Sequence, residues 1–310
     1  MEISKLSIII PHKNSLFTLK RLVNTIPIDE EFEIIIVDDH SDAKIKLKLR
    51  EFCSENGNLK LYENSLNSTS AGAARNLGLK YAKGEWILFA DADDLYLESF
   101  EHEFEKYKKS DAEVIYFRPL LDTSNRKGVF IFTKIFDIFE DNPTEENKLL
   151  LKLHMDTPWS KLIKRQLIDE YKIKFDEVKK HNDTMFSKKV AIHAMKIEIV
   201  NSSIYQYEIN NHGISATVNK ESYLSIVDVQ SRAIKLMIEN YEKKILMKVY
   251  PEAFYLLIKL LIDGIKQEKN LKIVKEFFAI NKKNGTLKFK YYNLFLAYKA
   301  YRNKKRIFKN

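Results

Sequence analysis

An acidic cluster, Asp91-Ala92-Asp93-Asp94, follows directly on the apolar run Trp86–Ala90. Two carboxylates two apart on a strand-to-loop turn can reach one side together, and hard oxygen ligands of this kind suit Mg²⁺ or Mn²⁺ bridging a substrate diphosphate. A helix cap would account for one of these aspartates, not for three. A second pair, Asp38-Asp39, ends the run Ile34–Val37 and precedes His40-Ser41-Asp42. Aspartate at a strand's carboxyl end can accept hydrogen bonds from a nucleobase N–H or a ribose hydroxyl, although Asp-Asp-x-Ser also makes an ordinary turn and cap. In the third piece, residues 71–78, AGAARNLG, the small residues let a helix pack closely while Arg75 offers a fork for a phosphate or a base. The other reading of Arg75 is a surface arginine on a tightly packed helix.

These groups need a sheet to present them. The first half of the chain alternates short β-branched runs with helical patterns, the signature of βαβ units and a parallel sheet. Strands are expected at Leu6–Ile10, Glu33–Val37, Leu59–Tyr62, Trp86–Ala90 and Val114–Phe117, with an edge strand at Gly128–Thr133. Helices are expected for about ten residues from Ser15, over Lys44–Glu55, and over Ala71–Ala82 behind the cap Ser70. The stretch 143–193 reads as mostly helical, and from Ser222 the pattern is helical almost to the end, broken at Pro251 and at Asn284-Gly285. In such sheets ligands sit just outside the carboxyl ends of the strands, which is where both acidic pairs fall.

The order of these pieces is more specific than any one of them. SIIIPHKN at 7–14, IIIVDDHSD at 34–42, SAGAARNLG at 70–78 and WILFADADD at 86–94 resemble glycosyltransferase family 2, whose fold is GT-A. TPWSKLIKR at 157–165, HNDTMF at 181–186 and YQYEINNHGIS at 205–215 are similar to that family's acceptor-side, base and closing segments. The resemblance covers roughly residues 5–216 and implies an α/β chain with a mostly parallel central sheet flanked by helices, followed by a helical C-terminal extension. It places a catalytic domain at 1–220, with nucleotide-sugar binding in 1–95 and the acceptor side in 96–220, and the extension at 221–310.

Residue by residue, the resemblance implies that Pro11 shapes the base pocket beside Lys13, that Asp39 contacts the base, and that Arg75 lies near the nucleotide. It puts Asp91 at the ribose or an ordered water, Asp93 on Mn²⁺ or Mg²⁺, and Asp183 as the catalytic base. The implied reaction is an inverting displacement at the anomeric carbon of a nucleotide diphosphate sugar, by default a UDP-sugar, with a glycan or lipid-linked oligosaccharide as acceptor. The family often has an aromatic residue where Lys13 stands, a glycine where His40 stands and an acid where Asn182 stands. Asp183 by itself also reads as the N-cap of a helix starting at Thr184. His212 is either a nitrogen ligand to the metal or a solvated loop histidine. Trp159 is either a sugar platform on the acceptor side or core. The absence of Gln-x-x-Arg-Trp, which accompanies processive synthases in the family, favours one sugar per binding event.

Composition narrows the remaining classes. The single cysteine, Cys53, rules out an internal disulfide or a cysteine-based zinc site and fits a reducing compartment. With no apolar run of membrane-spanning length and no cleavable leader pattern, a cytoplasmic location is expected. Ten of the 52 basic residues and none of the 43 acidic ones lie after Glu276, which leaves the preceding 276 residues with one net negative charge. That tail, interleaved with Phe289, Tyr291, Tyr292, Phe295 and Tyr298, suits an anionic membrane surface on the inner face of the cell membrane; a packed helix with a solvated basic face is the other reading. Interleaved basic and aromatic residues also occur in nucleic-acid-binding proteins, but the near-neutral body speaks against nucleic acid as a partner. A nucleotidyltransferase would use similar carboxylates, whereas a Rossmann oxidoreductase lacks its glycine fingerprint here.

Overall fold

Strands that are apolar almost without a break need a sheet covered on both faces. β1 (Leu6–His12) and β2 (Phe32–Asp38) are such strands and run parallel, in register from Leu6 opposite Phe32 to His12 opposite Asp38. β3 (Leu59–Glu63) and β4 (Trp86–Phe89) extend the sheet on either side, again in parallel. The crossovers are α1 (Leu16–Val23), α2 (Ala43–Glu55) and α3 (Ala71–Tyr81). The computed structural model describes residues 5–65, 69–121, 130–208, 220–250, 260 and 271–286.

The chain continues through β5 (Leu95–Tyr96), α4 (Ser99–Tyr107), β6 (Val114–Phe117), β7 (Leu120–Leu121), α5 (Phe130–Asp141) and α6 (Glu145–His154). Then come β8 (Lys161–Lys164), α7 (Arg165–Glu170), α8 (Thr184–His193), β9 (Ile197–Val200) and β10 (Tyr205–Tyr207), followed by α9 (Lys220–Asn240), α10 (Lys243–Val249) and α11 (Leu271–Lys283). The main sheet has seven strands in the order β3-β2-β1-β4-β8-β6-β9, parallel throughout except β8, which is antiparallel to both neighbours. A small second sheet, β5-β10-β7, stands over the carboxyl end of β4. The mostly parallel sheet with flanking helices and a helical C-terminal region is the expected architecture.

Alternation along the strands builds two cores. Ile9, Ile35, Val37, Ile87 and Phe89 join one apolar cluster with residues of α5, α6, α8 and α9, while Leu6, Ile8, Ile10, Ile34, Ile36 and Leu88 join another with residues of α1, α2 and α4. α3 lies close against the sheet, because a Cβ at Gly78 would stand 2.4 Å from Ile9 Cγ2. Its first turn is held by Ser70, whose hydroxyl accepts the Ala73 N–H at 3.0 Å.

One expectation is corrected and another is refined. Of the edge strand at Gly128–Thr133, Gly128 and Val129 lie outside the described residues and Phe130–Thr133 open α5. Ile135 and Phe136 are buried, with Phe132 and Phe139 half-buried on the same side; that spacing is helical, and the β-branched and aromatic types hid it. The stretch 143–193, expected to be mostly helical, is helical in α6, α7 and α8, and β8 sits between α6 and α7, completing the sheet between β4 and β6.

Candidate active site

The site begins where β1 and β2 end. His12 is buried, and its Nε2 accepts the Ser15 N–H at 3.2 Å, so Nδ1 carries the hydrogen directed at Asp38 Oδ1, 3.0 Å away. Burial pushes the Asp38 carboxyl up, but hydrogen bonds from His12 and Ser41 more than reverse this and hold it below the usual range. Asp38 is thus spent on tying the strand ends together. Asp39 follows, its N–H bonded to the His12 carbonyl at 2.7 Å and its Oδ1 accepting from Asn64 Nδ2 at 2.8 Å. His40 adopts φ +63°, the left-handed conformation a glycine would take there, so the loop keeps its turn at some conformational cost. Pro11 is half-buried at the end of β1, and Lys13 is exposed beside it.

The acidic turn follows β4. Asp94 is fully buried: Oδ2 accepts from the Tyr205 hydroxyl at 2.6 Å and Oδ1 from the Glu208 N–H at 2.8 Å, while the Tyr205 oxygen accepts the Asp91 N–H at 2.9 Å. From α1, Arg21 donates to the Asp93 carbonyl at 2.7 Å and pairs with Glu208 at 2.5 Å. The third carboxylate of the cluster is therefore a clamp between this turn and β10, and Asp91 and Asp93 remain half-buried. Burial, then the negative charges of Asp91 and Asp93, push the Asp94 carboxyl far above the carboxylate range. Asp91 and Asp93, half-buried at the end of β4, are hard oxygen donors whose chemistry fits a divalent cation, with Asp93 as the expected ligand. The second expected ligand, His212, lies outside the described residues. Among the described residues, a tight group of three carboxylates occurs elsewhere, at Asp29, Glu31 and Glu105; there Lys108 pairs with Glu31 and Glu105, both at 2.7 Å.

α3 joins this turn to the expected base. Arg75 is buried, donating from Nη2 to Asp91 Oδ1 at 2.5 Å and from Nη1 to Asn182 Oδ1 at 2.8 Å, with Phe175 beneath its guanidinium at 5.3 Å. The guanidinium fork is thus used within the protein, between the strand-end turn and the loop before α8. That loop lies directly on α3, where a Cβ at Gly72 would come 2.1 Å from the Asp176 carbonyl oxygen. Asp183 follows at the N-cap position of α8, yet its side chain makes no capping bond. Asp183 is half-buried. Burial raises its pKa above the usual value, opposed by Arg75 and His181 and assisted by Asp156.

Trp159 is corrected from platform to wall. It is 3% exposed, its ring stacks at 5.4 Å on both Tyr205 and Tyr207, and it meets Phe132 edge-on, leaving no face for a sugar. The sequence reading also missed the clamping roles of Asp94, Tyr205 and Arg21, and the buried His12. Nothing in Asp-x-Asp-Asp says which carboxylate turns inward. A signal for His12 existed, since a histidine closing an otherwise apolar strand is opposite Asp38 once the two strands are aligned.

The acidic turn at the end of β4 and Asp183, joined across Arg75, stand in a fold and sequence that known proteins share. A family model described as glycosyl transferase family 2 matches residues 7–172, and the chain belongs to that family. A poly(ribitol-phosphate) beta-glucosyltransferase of Bacillus spizizenii is 31% identical over 260 residues, 79% of this chain and 39% of that protein. The poly(ribitol-phosphate) beta-N-acetylglucosaminyltransferase TarS of Staphylococcus aureus is 26% identical over 232 residues, 72% of this chain and 39% of that protein. The chain thus spans about two fifths of the length of these relatives. Among solved structures, residues 1–349 of S. aureus TarS in complex with UDP-GlcNAc superpose with a TM-score of 0.68 at 21% identity, over 89% of this chain and 79% of that one. The GT-A fold expected from the sequence is therefore the fold of this chain.

Proposed function

We propose that this chain transfers a hexosyl or N-acetylhexosaminyl group from a UDP-sugar to a hydroxyl of a glycan or polyol-phosphate acceptor, with inversion and one sugar per binding event. The observation that carries the reading is the Arg75 bridge, which holds Asp91 of the donor turn and Asn182, the neighbour of the base, on one guanidinium. Family membership supports the reaction class. The poly(ribitol-phosphate) transferases among the relatives support a polyol-phosphate acceptor, and the UDP-GlcNAc complex of TarS supports the donor.

In this mechanism Asp39 accepts a hydrogen bond from the base, and Asp91, oriented by Arg75, does so from the ribose or an ordered water. Asp183 takes the proton of the acceptor hydroxyl as its oxygen bonds to the anomeric carbon and the bond from that carbon to the diphosphate breaks. A carboxyl whose pKa is raised by burial is a better acceptor for that proton than a fully solvated one. Asp93 and His212 would hold Mn²⁺ or Mg²⁺, which would supply positive charge to offset the leaving diphosphate. The clamp of Asp94, Tyr205 and Arg21 keeps the turn in one conformation, so the chemical step requires little reorganisation of it.

The test is UDP release from UDP-GlcNAc and UDP-glucose with poly(ribitol phosphate) as acceptor. Asp183→Asn preserves size but cannot take the proton, so the rate should fall by roughly 10²–10⁴ with UDP affinity nearly unchanged. Equal losses of rate and UDP affinity would assign Asp183 a structural role instead.

A further inference from the structure

Two lysines that the mechanism above leaves unused are buried near the base. Lys161, the first residue of β8, is 1% exposed, and Lys188, in the second turn of α8, is fully buried. A buried ammonium is unfavourable unless its protons are matched. Lys188 Nζ donates to the Leu153 carbonyl, lies 2.5 Å from Asp156 Oδ1 and sits 4.4 Å from the Tyr250 ring centroid. Lys161 Nζ donates to the Met155 carbonyl and stands 5.4 Å from the Tyr116 ring centroid. Both side chains converge on residues 153–156, where Ser187 adds a 2.5 Å hydrogen bond to the Asp156 carbonyl.

Turning the chain from α6 into β8 does not require charge. Well-packed apolar residues in place of a buried ion pair are often neutral or stabilising, so a pair retained here invites a role that a methyl group cannot fill. Ser187 joins Asp156 to Asp183, its N–H donating to the Asp183 carbonyl at 2.9 Å and its hydroxyl to the Asp156 carbonyl, and the Asp156 carboxylate is the second whose charge acts on Asp183. Burial draws the Lys161 ammonium down to about 7, against the attraction of Asp156. For Lys188 the same burial is outweighed by Asp156 and Tyr250, and its pKa is raised. Lys188 is therefore the cation that answers Asp156.

We propose that Lys188 is a positioning residue for the transfer reaction: through its ion pair with Asp156 it neutralises the second carboxylate at the base site and keeps Asp183 available as a proton acceptor. The proposal rests on Asp183 being the base. The other charged groups around Asp183 are Arg75 from α3, His181 on its own loop and Lys161 from β8. Arg232 of α9 is committed to Asp176 and Asp228. Without Lys188, Asp156 stands uncompensated and Asp183 holds its proton to higher pH; without Asp156, the shift runs the other way.

The experiment follows the aspartate side-chain carboxyl resonances of the whole ¹³C-labelled chain by NMR as pH is varied, with Asp183 assigned from the signal lost in Asp183→Asn. Lys188→Met should raise the Asp183 midpoint by about one pH unit, Asp156→Asn should lower it, and the double variant should return it towards the starting value. The acid limb of the kcat profile should move with the midpoint, which a merely structural role would not produce. An unmoved midpoint in folded Lys188→Met overturns the proposal. If that variant fails to fold, Asp156→Asn decides alone, and a midpoint that does not fall overturns it. Because the carboxyl is read without substrate, failure of the base assignment shows separately, as normal turnover by Asp183→Asn, and failure of the transferase reading as absence of UDP release by the unaltered chain.

Discussion

Gly72→Ala adds one methyl group to the helix face on which the base loop rests. The new Cβ would stand 2.1 Å from the Asp176 carbonyl oxygen and 3.0 Å from Asn182 Cβ. An ordinary carbon–oxygen contact is about 3.3 Å, so α3 and the loop must separate by about 1.2 Å. The loop is not free to move alone. Arg232 holds Asp176 at 2.7 Å, and the Asp176 N–H donates to the Asn182 carbonyl at 3.0 Å while the Asn182 side chain is held by Arg75. Overpacking of this size costs about 1–3 kcal/mol, but alanine is preferred to glycine inside a helix by about 1 kcal/mol. The net loss of stability is therefore small, a shift in Tm of a few degrees. Catalysis has no such offset, since about 1 Å of misplacement near reacting atoms can cost about 10² in rate. The expected result is a kcat lowered by about that factor, with UDP affinity retained because Asp39 and its partners belong to β1, β2 and the turn after β3. Calorimetry with UDP and steady-state UDP release separate the two quantities. A kcat equal to that of the unaltered chain would show that the loop's seating on α3 does not position Asp183.

Asp93→Ala should abolish the dependence of turnover and of UDP affinity on added Mn²⁺, with circular dichroism unchanged; persistence of that dependence would remove the metal from Asp93. Glu33 is buried where Ser7 and Lys60 donate to it at 2.5 and 2.6 Å, and although burial pushes its carboxyl up, these bonds hold its pKa below the usual value. A lowered folded pKa stabilises above the unfolded pKa and the effect is lost as pH falls through the folded one. Glu33→Gln should therefore lower Tm at neutral pH by an amount that shrinks below about pH 4, and a deficit independent of pH would refute the argument. Removing residues 287–310, which lie outside the described residues, should weaken salt-sensitive binding to phosphatidylserine vesicles while sparing UDP release; no binding by the full chain at low salt would dismiss the membrane reading.

Regular βαβ repetition made the first half of the fold readable, because a parallel strand buried on both faces is a local run of apolar residues with nothing else to be. β8 could not be read in this way. Lys161–Lys164 begins and ends with a lysine, and it is a strand only because β4 and β6 leave an antiparallel gap between them. The second sheet depends still more on tertiary context: β5 and β7 have two residues each and β10 three. Trp159 shows the same limit for side chains. An aromatic residue beside an acceptor segment has one sequence signature whether it faces a sugar or two tyrosines.

The site was legible as a set of residues but not as a circuit. Asn182 stands where the family often has an acid, and from the sequence this is only a lost neighbour for the base. In the fold, Arg75 already faces one carboxylate, Asp91, and its second nitrogen needs an acceptor and not another charge. The Asn182 amide oxygen supplies that acceptor. An acid at the same position would place a further negative charge beside Asp183, whose carboxyl already feels Asp156. With a neutral residue at 182, the charge balance at Asp183 falls to groups outside its own loop. Arg75 lies 108 positions and Asp156 27 positions before Asp183, and Asp156 is paired with Lys188. Spacing along the chain cannot reveal such a partnership, because it exists only after α3, the stretch before β8 and α8 have been brought to one place.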